Sequence, residues 1–354
     1  MKKLFLRILP FALIMFTLIT FIACNDRSEN DDTSTDITVT VPGSGGNDDQ
    51  EQENGNGGED KGEPDFEYVL LSDRTYGIGK LLNTVATEIT VPEYYNDEPV
   101  TKIMSGAFTD ASELTILTIK SNIQEIEKGA LSGCSSLKEI TLPFIGTSQS
   151  ASDPLGFIFG TVSYSGAQKA AQNFKVSNGT ERYDNFYIPS GLEKVTVTSG
   201  VIHTYAFMDC KMIKEIVFED GVTAIEGGAF YFCDGLESVS IGKGIAELSD
   251  ECFRSLTGLK SVSIGENVTK IGYSAFDGCT SLKSIVIPEK VTVIEKYAFD
   301  GCTGMESIIF ECTSGWYRDY GSASGTGMNV TNPALNVKNL TDSREYSSDR
   351  WKRR

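Results

Sequence analysis

One period governs this chain. Phe207, Phe230, Phe253, Phe276 and Phe299 are each 23 residues apart, and upstream Phe108 and Leu131 stand at the same interval. The surrounding residues repeat with them: AFYFCDGLESVSI, ECFRSLTGLKSVSI, AFDGCTSLKSIVI and AFDGCTGMESIIF. A fixed period of this length means one supersecondary unit stacked on the next, each too small to bury its own apolar face. It predicts a solenoid, and it sets the expectation of a surface-presenting scaffold rather than an enzyme.

The cleanest unit is NVTKIGYSAFDGCTSLKSIVIP, residues 267–288. Leu282, Ile285 and Ile287 have the alternation of a short strand, which turns Ser284 and Val286 outward. Ala275 and Phe276 point inward where the chain reverses, Asp277 and Gly278 supply turn chemistry, and Pro288 ends the strand. Eight units follow from lead positions at Phe108, Leu131, Phe159, Phe207, Phe230, Phe253, Phe276 and Phe299. Their outward strand positions form a column of Thr118, Thr141, Thr196, Val217, Ser240, Ser263, Val286 and Ile309. Such a column suits an extended protein partner, and small β-branched residues equally suit the strand itself. The third unit is irregular: LGFIFG resembles the turn, its strand returns only at Leu192, Val195 and Val197, and an insert of about residues 160–186 intervenes. That insert, with Tyr164, Phe174 and Tyr183, is either a binding element or a structural excursion packed on the solenoid.

The pattern Val-Thr-x-Ile-x-x-x-Ala-Phe-x-x-Cys-x-x-Leu-x-x-Ile-x-Ile resembles the BspA-type leucine-rich repeat, a 23-residue class of bacterial surface proteins. The resemblance covers roughly residues 66–354. It implies an all-β-rich, right-handed leucine-rich repeat solenoid with parallel strands on its concave side and a cap at each end. It also implies adhesion to host proteins or neighbouring cells.

The N-terminus points outward from the cell. Lys2 and Lys3 precede an apolar run from Ile8 to Ala23, then Cys24. Sixteen helical residues reach roughly 24 Å, short of the ~30 Å hydrocarbon core, so the run reads as a secretory signal. Ala23-Cys24 fits a lipoprotein signal, although Phe21 is bulkier than such signals usually carry; a secreted soluble protein and an uncleaved anchor are the alternatives. Several acyl chains on Cys24 would hold a membrane where a single chain binds marginally. Residues 25–67 carry 14 acidic side chains against Arg27 and Lys61, a net of −12, with no aromatic before Phe66. Such composition cannot offset its ordering entropy and is expected to be a disordered tether, a stalk or a solubilising linker. The whole chain carries −18. An acidic body lacks the basic footprint that a phosphate backbone requires, so nucleic acid is not an expected partner.

The cysteines follow the repeat. Cys134, Cys210, Cys233, Cys279 and Cys302 share one position and Cys252 takes the Ala slot. Coils ~4.8 Å apart would permit a disulfide such as Cys279 to Cys302, while cysteine is also a favoured small core residue, which makes a ladder of free thiols. No Cys/His cluster has zinc spacing. His203 is the single histidine, expected to be exposed in a variable turn, and nothing around it forms a triad. No metal, cofactor or catalytic residue is expected. The organisation read from these features is a lipoprotein signal over 1–23, a tether over 24–65, an N-terminal cap over 66–98, repeats over 99–311 and a C-terminal cap over 312–354. The terminal Trp-Lys-Arg-Arg is read as a frayed basic end or a docking tag. The expected function is adhesion: a monomer on the bacterial surface, anchored by Cys24, binding an extracellular protein or glycan. The alternative is a structural spacer with no dedicated ligand.

Overall fold

In each circuit the strand alternation, joined in most by the inward Ala-Phe pair, directs apolar side chains to one interior, so successive circuits stack. The computed structural model describes residues 40–41, 66–175, 179–319, 330–341 and 349–353. Cys24 and nearly all of the acidic tether lie outside them. The architecture is a β-solenoid of about ten turns, against the eight counted from lead positions. One turn was missed because the first rung, Glu88–Thr90, has no Ala-Phe lead: the residue 23 before Phe108 is Val85, which is exposed.

Seven strands pair in parallel in the order Glu88–Thr90, Ile116–Thr118, Glu139–Leu142, Lys194–Ile202, Glu215–Ile225, Ser238–Ile241 and Ser261–Ser263. The next two rungs, Ser284–Ile287 and Ser307–Phe310, pair in parallel with each other. Burial follows the alternation: Ile285 and Ile287 face the core while Ser284 and Val286 are exposed. A second row of short parallel strands closes each circuit, among them Glu247–Leu248, Lys270–Ile271 and Val293–Ile294. Lys194–Ile202 and Glu215–Ile225 run on beyond the rung, with register shifts after Val197 and Gly200. There the backbones approach so closely that a Cβ on Gly221 would lie 2.3 Å from the Thr198 carbonyl oxygen.

The lead phenylalanines fill the interior. From Phe207 to Phe299 five rings stack with centroids 5.3–5.4 Å apart and planes within 16° of parallel. Each is buried, and burial of such a ring contributes about 1.5–3 kcal/mol. A backbone hydrogen bond repeats alongside: Phe108 N to Ala130 O, Phe207 N to Ala229 O, Phe253 N to Ala275 O and Phe276 N to Ala298 O.

Both ends are covered, as unpaired strand edges require. At the first, Phe66–Leu70 pairs antiparallel with Tyr76–Leu81, which pairs in parallel with Glu98–Ile103. Phe66 meets Phe108 edge-on at 6.1 Å, and Thr40–Val41 pairs antiparallel with Val69 and Tyr68. At the other end the helix Pro333–Thr341 lies against the last rung, where buried Asn336 donates from Nδ2 to the carbonyls of Ile308 and Val330, both at 2.9 Å. Arg350–Arg353 adds antiparallel strands to Val293–Ile294 and Trp316–Asp319. Trp316 packs edge-on against Phe310 at 4.9 Å, sealing the last coil. The frayed basic end is a correction: Trp351 is fully buried, stacked on Phe310 at 6.3 Å. Its large apolar area outweighs the charge around it, and the flanking cations are paired, Arg350 with Glu295 and Lys352 with Asp319.

The insert is a hairpin. Ala167–Lys175 and Glu181–Pro189 pair antiparallel at nine positions, while Glu139–Leu142 pairs directly with Lys194–Ile202 beneath. The rungs therefore close as if the hairpin were absent.

Candidate functional site

The outward column is in register. Pairing aligns Thr118 with Thr141, Thr141 with Thr196, Thr196 with Val217, Val217 with Ser240 and Ser240 with Ser263. Val286 pairs with Ile309 in the following ladder. The column is half-buried from Thr118 through Val217 and exposed from Ser240 onward. It ends on two exposed aliphatics, Val286 and Ile309, each 44% exposed. Thr90 belongs to it as well, aligned with Thr118. Sequence reasoning missed Thr90 because its segment was assigned to the cap, although the alternation Ile89-Thr90-Val91 was there to be read.

From Lys194–Ile202 onward, a charged rail runs beside the column at the start of the rungs. Glu193 pairs with Lys214, Glu237 with Lys260 at 2.8 Å, and Lys283 with Glu306 at 3.3 Å. Lys194 and Glu215 add a pair at 3.3 Å. The Lys260 ammonium holds the Glu237 carboxyl below the usual carboxylate range, and Glu193 raises Lys214. These are exposed pairs, each worth little in stability. Each pair places opposite charges side by side next to the column.

Two concavities flank the strands. A cleft of about 530 Å³ is lined by Ser121, Ile123, Gln124, Phe144, Ser148 and Gln149, among others. A smaller one of about 240 Å³ is lined by Ser152, His203, Thr204, Tyr205 and Glu226. His203 is half-buried there, a correction to the exposed turn expected of it. Its Nδ1 lies 3.3 Å from Glu226 Oε1, and the Thr204 N–H donates to Glu226 Oε2 at 2.8 Å. The carboxylate of one coil thus caps the turn of the preceding coil and draws His203 inward. Burial raises the Glu226 pKa, but the hydrogen bonds from Thr204 and His203 outweigh it and the net shift is downward. Among the described residues no group of carboxylate, thiol or imidazole side chains could hold a metal ion.

The repeat thiols are free and buried. Cys233, Cys279 and Cys302 each donate an S–H to the lead Phe carbonyl of the coil before, at 2.8, 3.1 and 3.1 Å. Burial pushes Cys233 and Cys279 up to about 12, which leaves them as inert core donors. Of the two arrangements open from spacing, the free ladder is the one present.

The insert is anchored to the solenoid through its first strand. Buried Gln172 accepts from the Gly156 N–H at 2.9 Å and donates to the Met208 carbonyl at 2.7 Å. Gly156 admits no side chain, since a Cβ there would lie 2.4 Å from Gln172 Oε1. Phe157, Phe174 and Phe186 cluster at 5.8–6.1 Å, with the Lys128 ammonium 5.2 Å from the Phe157 ring. A lone glutamine in a strand carries no sequence signal for this role.

Comparison with known proteins agrees with the geometry. The profile of the BspA type leucine-rich repeat region matches six copies over residues 83–151 and 180–314, more than half of the chain. A leucine-rich repeat protein of T. pallidum is 20% identical over 68% of this chain and 87% of its own, with a TM-score of 0.32. A leucine-rich cell surface protein from Faecalibacterium prausnitzii is 18% identical over 70% and 94%, at 0.26. The pneumococcal vaccine antigen PcpA is 12% identical over 72% and 82%, at 0.23. No curated protein matches the chain.

Proposed function

Because the chain belongs to the BspA-type leucine-rich repeat family, we propose that it is a bacterial surface adhesin that binds an extracellular protein along its parallel sheet. One observation carries this reading: the outward column is in register over seven rungs, from Thr90 to Ser263, flanked from Lys194 onward by paired opposite charges. A regular, rigid row of hydroxyl and alkyl groups offers many weak contacts at little ordering cost to the protein. It contains neither a base nor a nucleophile pair, which favours recognition over catalysis.

The remaining parts of the proposal rest on sequence. Residues 1–23 export the chain, Cys24 carries the lipid, and residues 24–65 lift the folded part off the membrane as a monomer.

The test is saturable binding of the full-length protein to an array of extracellular-matrix proteins, repeated with Ser240→Lys/Ser263→Lys. Both residues are exposed, so the fold should persist. Affinity at least tenfold lower, with an unchanged thermal midpoint, is the expected result. Binding indifferent to the substitutions would remove the column as the site, and no saturable binding to any protein would favour the spacer.

A further inference from the structure

A different part of each coil, the turn that carries the lead phenylalanine, holds a feature that packing does not require. Two positions in this turn take left-handed backbone. The first, two residues before the lead, is Gly106, Gly129 and Gly228 in three coils, with φ of 72–73°. In four others it is Tyr205, Glu251, Ser274 and Tyr297, at φ 50–69°. The second, two residues after the lead, is Gly133, Gly278 and Gly301 in three coils, and Asp209, Phe232 and Ser255 at φ 59–63° in three more. A bulky side chain in this region is strained where glycine is free.

The strain is not offset in the core. Phe232 is 62% exposed and Tyr231 is 36% exposed. The Tyr205 and Tyr231 ring centroids are 5.9 Å apart, and those of Tyr231 and Phe232 are 6.3 Å apart. Three rings from two adjacent coils thus form one outward aromatic surface. Exposed aromatic faces clustered in this way offer a surface on which a flat ligand can stack.

The neighbourhood fixes the chemistry. Tyr205 also lines the 240 Å³ pocket, whose other walls are Ser152, His203, Thr204 and Glu226. Hydroxyls, an imidazole and a carboxylate beside flat aromatic faces match a ligand with alternating C–H faces and hydroxyl edges. The pocket wall holds a carboxylate and no Lys or Arg, and the whole protein is at −18, so an anionic ligand would be repelled.

We propose that Tyr205, Tyr231 and Phe232, with the pocket of Ser152, His203, Thr204 and Glu226, form a binding site for a neutral glycan. Sugar rings stack on the aromatic surface, and their hydroxyls enter the pocket. This site is separate from the strand column, and it stands or falls independently of protein binding there.

The test is affinity electrophoresis of the full-length protein through gels containing mannan, galactomannan, dextran or xyloglucan, with anionic alginate as a control. The decisive variant is Tyr205→Gly/Phe232→Gly, which installs the residue that three other coils use at each of these positions. Retardation by at least one neutral polysaccharide, at least tenfold weaker in the variant and absent with alginate, is the expected result. The thermal midpoint of the variant should equal or exceed that of the parent, which separates lost binding from lost fold. Three results would overturn the proposal: no retardation by any of the four, retardation unchanged in the variant, or an effect of the variant confined to protein ligands.

Discussion

The two halves of the solenoid solve the same packing problem differently. From Phe207 to Phe299 the interior slot repeats without change, and five rings stack at 5.3–5.4 Å. From Phe108 to Phe159 the slot holds Phe, Leu and Phe, so no continuous ring stack can form. The break is bridged by other means: Phe66 leans on Phe108, and Gln172 joins the Gly156 turn to the Met208 carbonyl. Where the repeat is regular, cohesion comes from identical neighbours. Where it is interrupted, a buried polar residue from outside the repeat takes over, and each of its hydrogen bonds must then be made.

The sharpest way to break this contrast is Phe253→Ala, at the middle of the stack. Removing a fully buried ring costs about 3–5 kcal/mol, and in a one-dimensional array the loss falls on the coupling between neighbours. Both tryptophans, Trp316 and Trp351, sit in the C-terminal cap, so their fluorescence reports that end alone, whereas circular dichroism reports all strands. In urea the two signals should coincide for the parent and separate for Phe253→Ala. Coincident transitions in the variant would show that the ring stack does not couple the coils.

Gln172→Ala addresses the interrupted half. It strands the Gly156 N–H and the Met208 carbonyl, at about 1–3 kcal/mol for a buried group left without its partner. The Gly156 amide should lose hydrogen-exchange protection, while amides of the stacked half, such as Phe276 N, keep theirs. Retained protection at Gly156 would mean that the aromatic cluster of Phe157, Phe174 and Phe186 holds the hairpin without Gln172.

This difference also explains what could be read in advance. The period, the inward Ala-Phe pair and the outward column were legible because most coils restate them. Ser284 and Val286 point outward and Ile285 and Ile287 inward as the alternation requires. Features that occur once were not legible. Gln172 looks like any strand polar residue, and Trp351 looks like part of a charged tail until the strand Arg350–Arg353 is seen to pair with Val293–Ile294. Tyr205 and Phe232 carried no sequence signal, since left-handed backbone leaves no trace when the residue is not glycine. His203 was misplaced for a related reason: its partner Glu226 lies one coil away, and the contact exists only through stacking.

The smallest expected effect compares one thiol from each half. Cys279 donates to the Phe253 carbonyl at 3.1 Å, whereas Cys134 stands 3.7 Å from the Phe108 carbonyl. Both are buried, and burial pushes both thiols up to about 12, so each remains protonated and a donor at neutral pH. Replacing either with alanine removes the same sulfur volume, and the cavity cost should largely cancel between them. What remains is the hydrogen bond, whose net worth is about 0.5–1.5 kcal/mol for ordinary donors and lies at the low end for a thiol. Cys279→Ala should therefore lower stability by about 0.5 kcal/mol more than Cys134→Ala in paired urea titrations. Equal losses would mean that the thiol ladder acts through volume alone, and that the regular half owes its order to the stacked rings and the backbone bonds beside them.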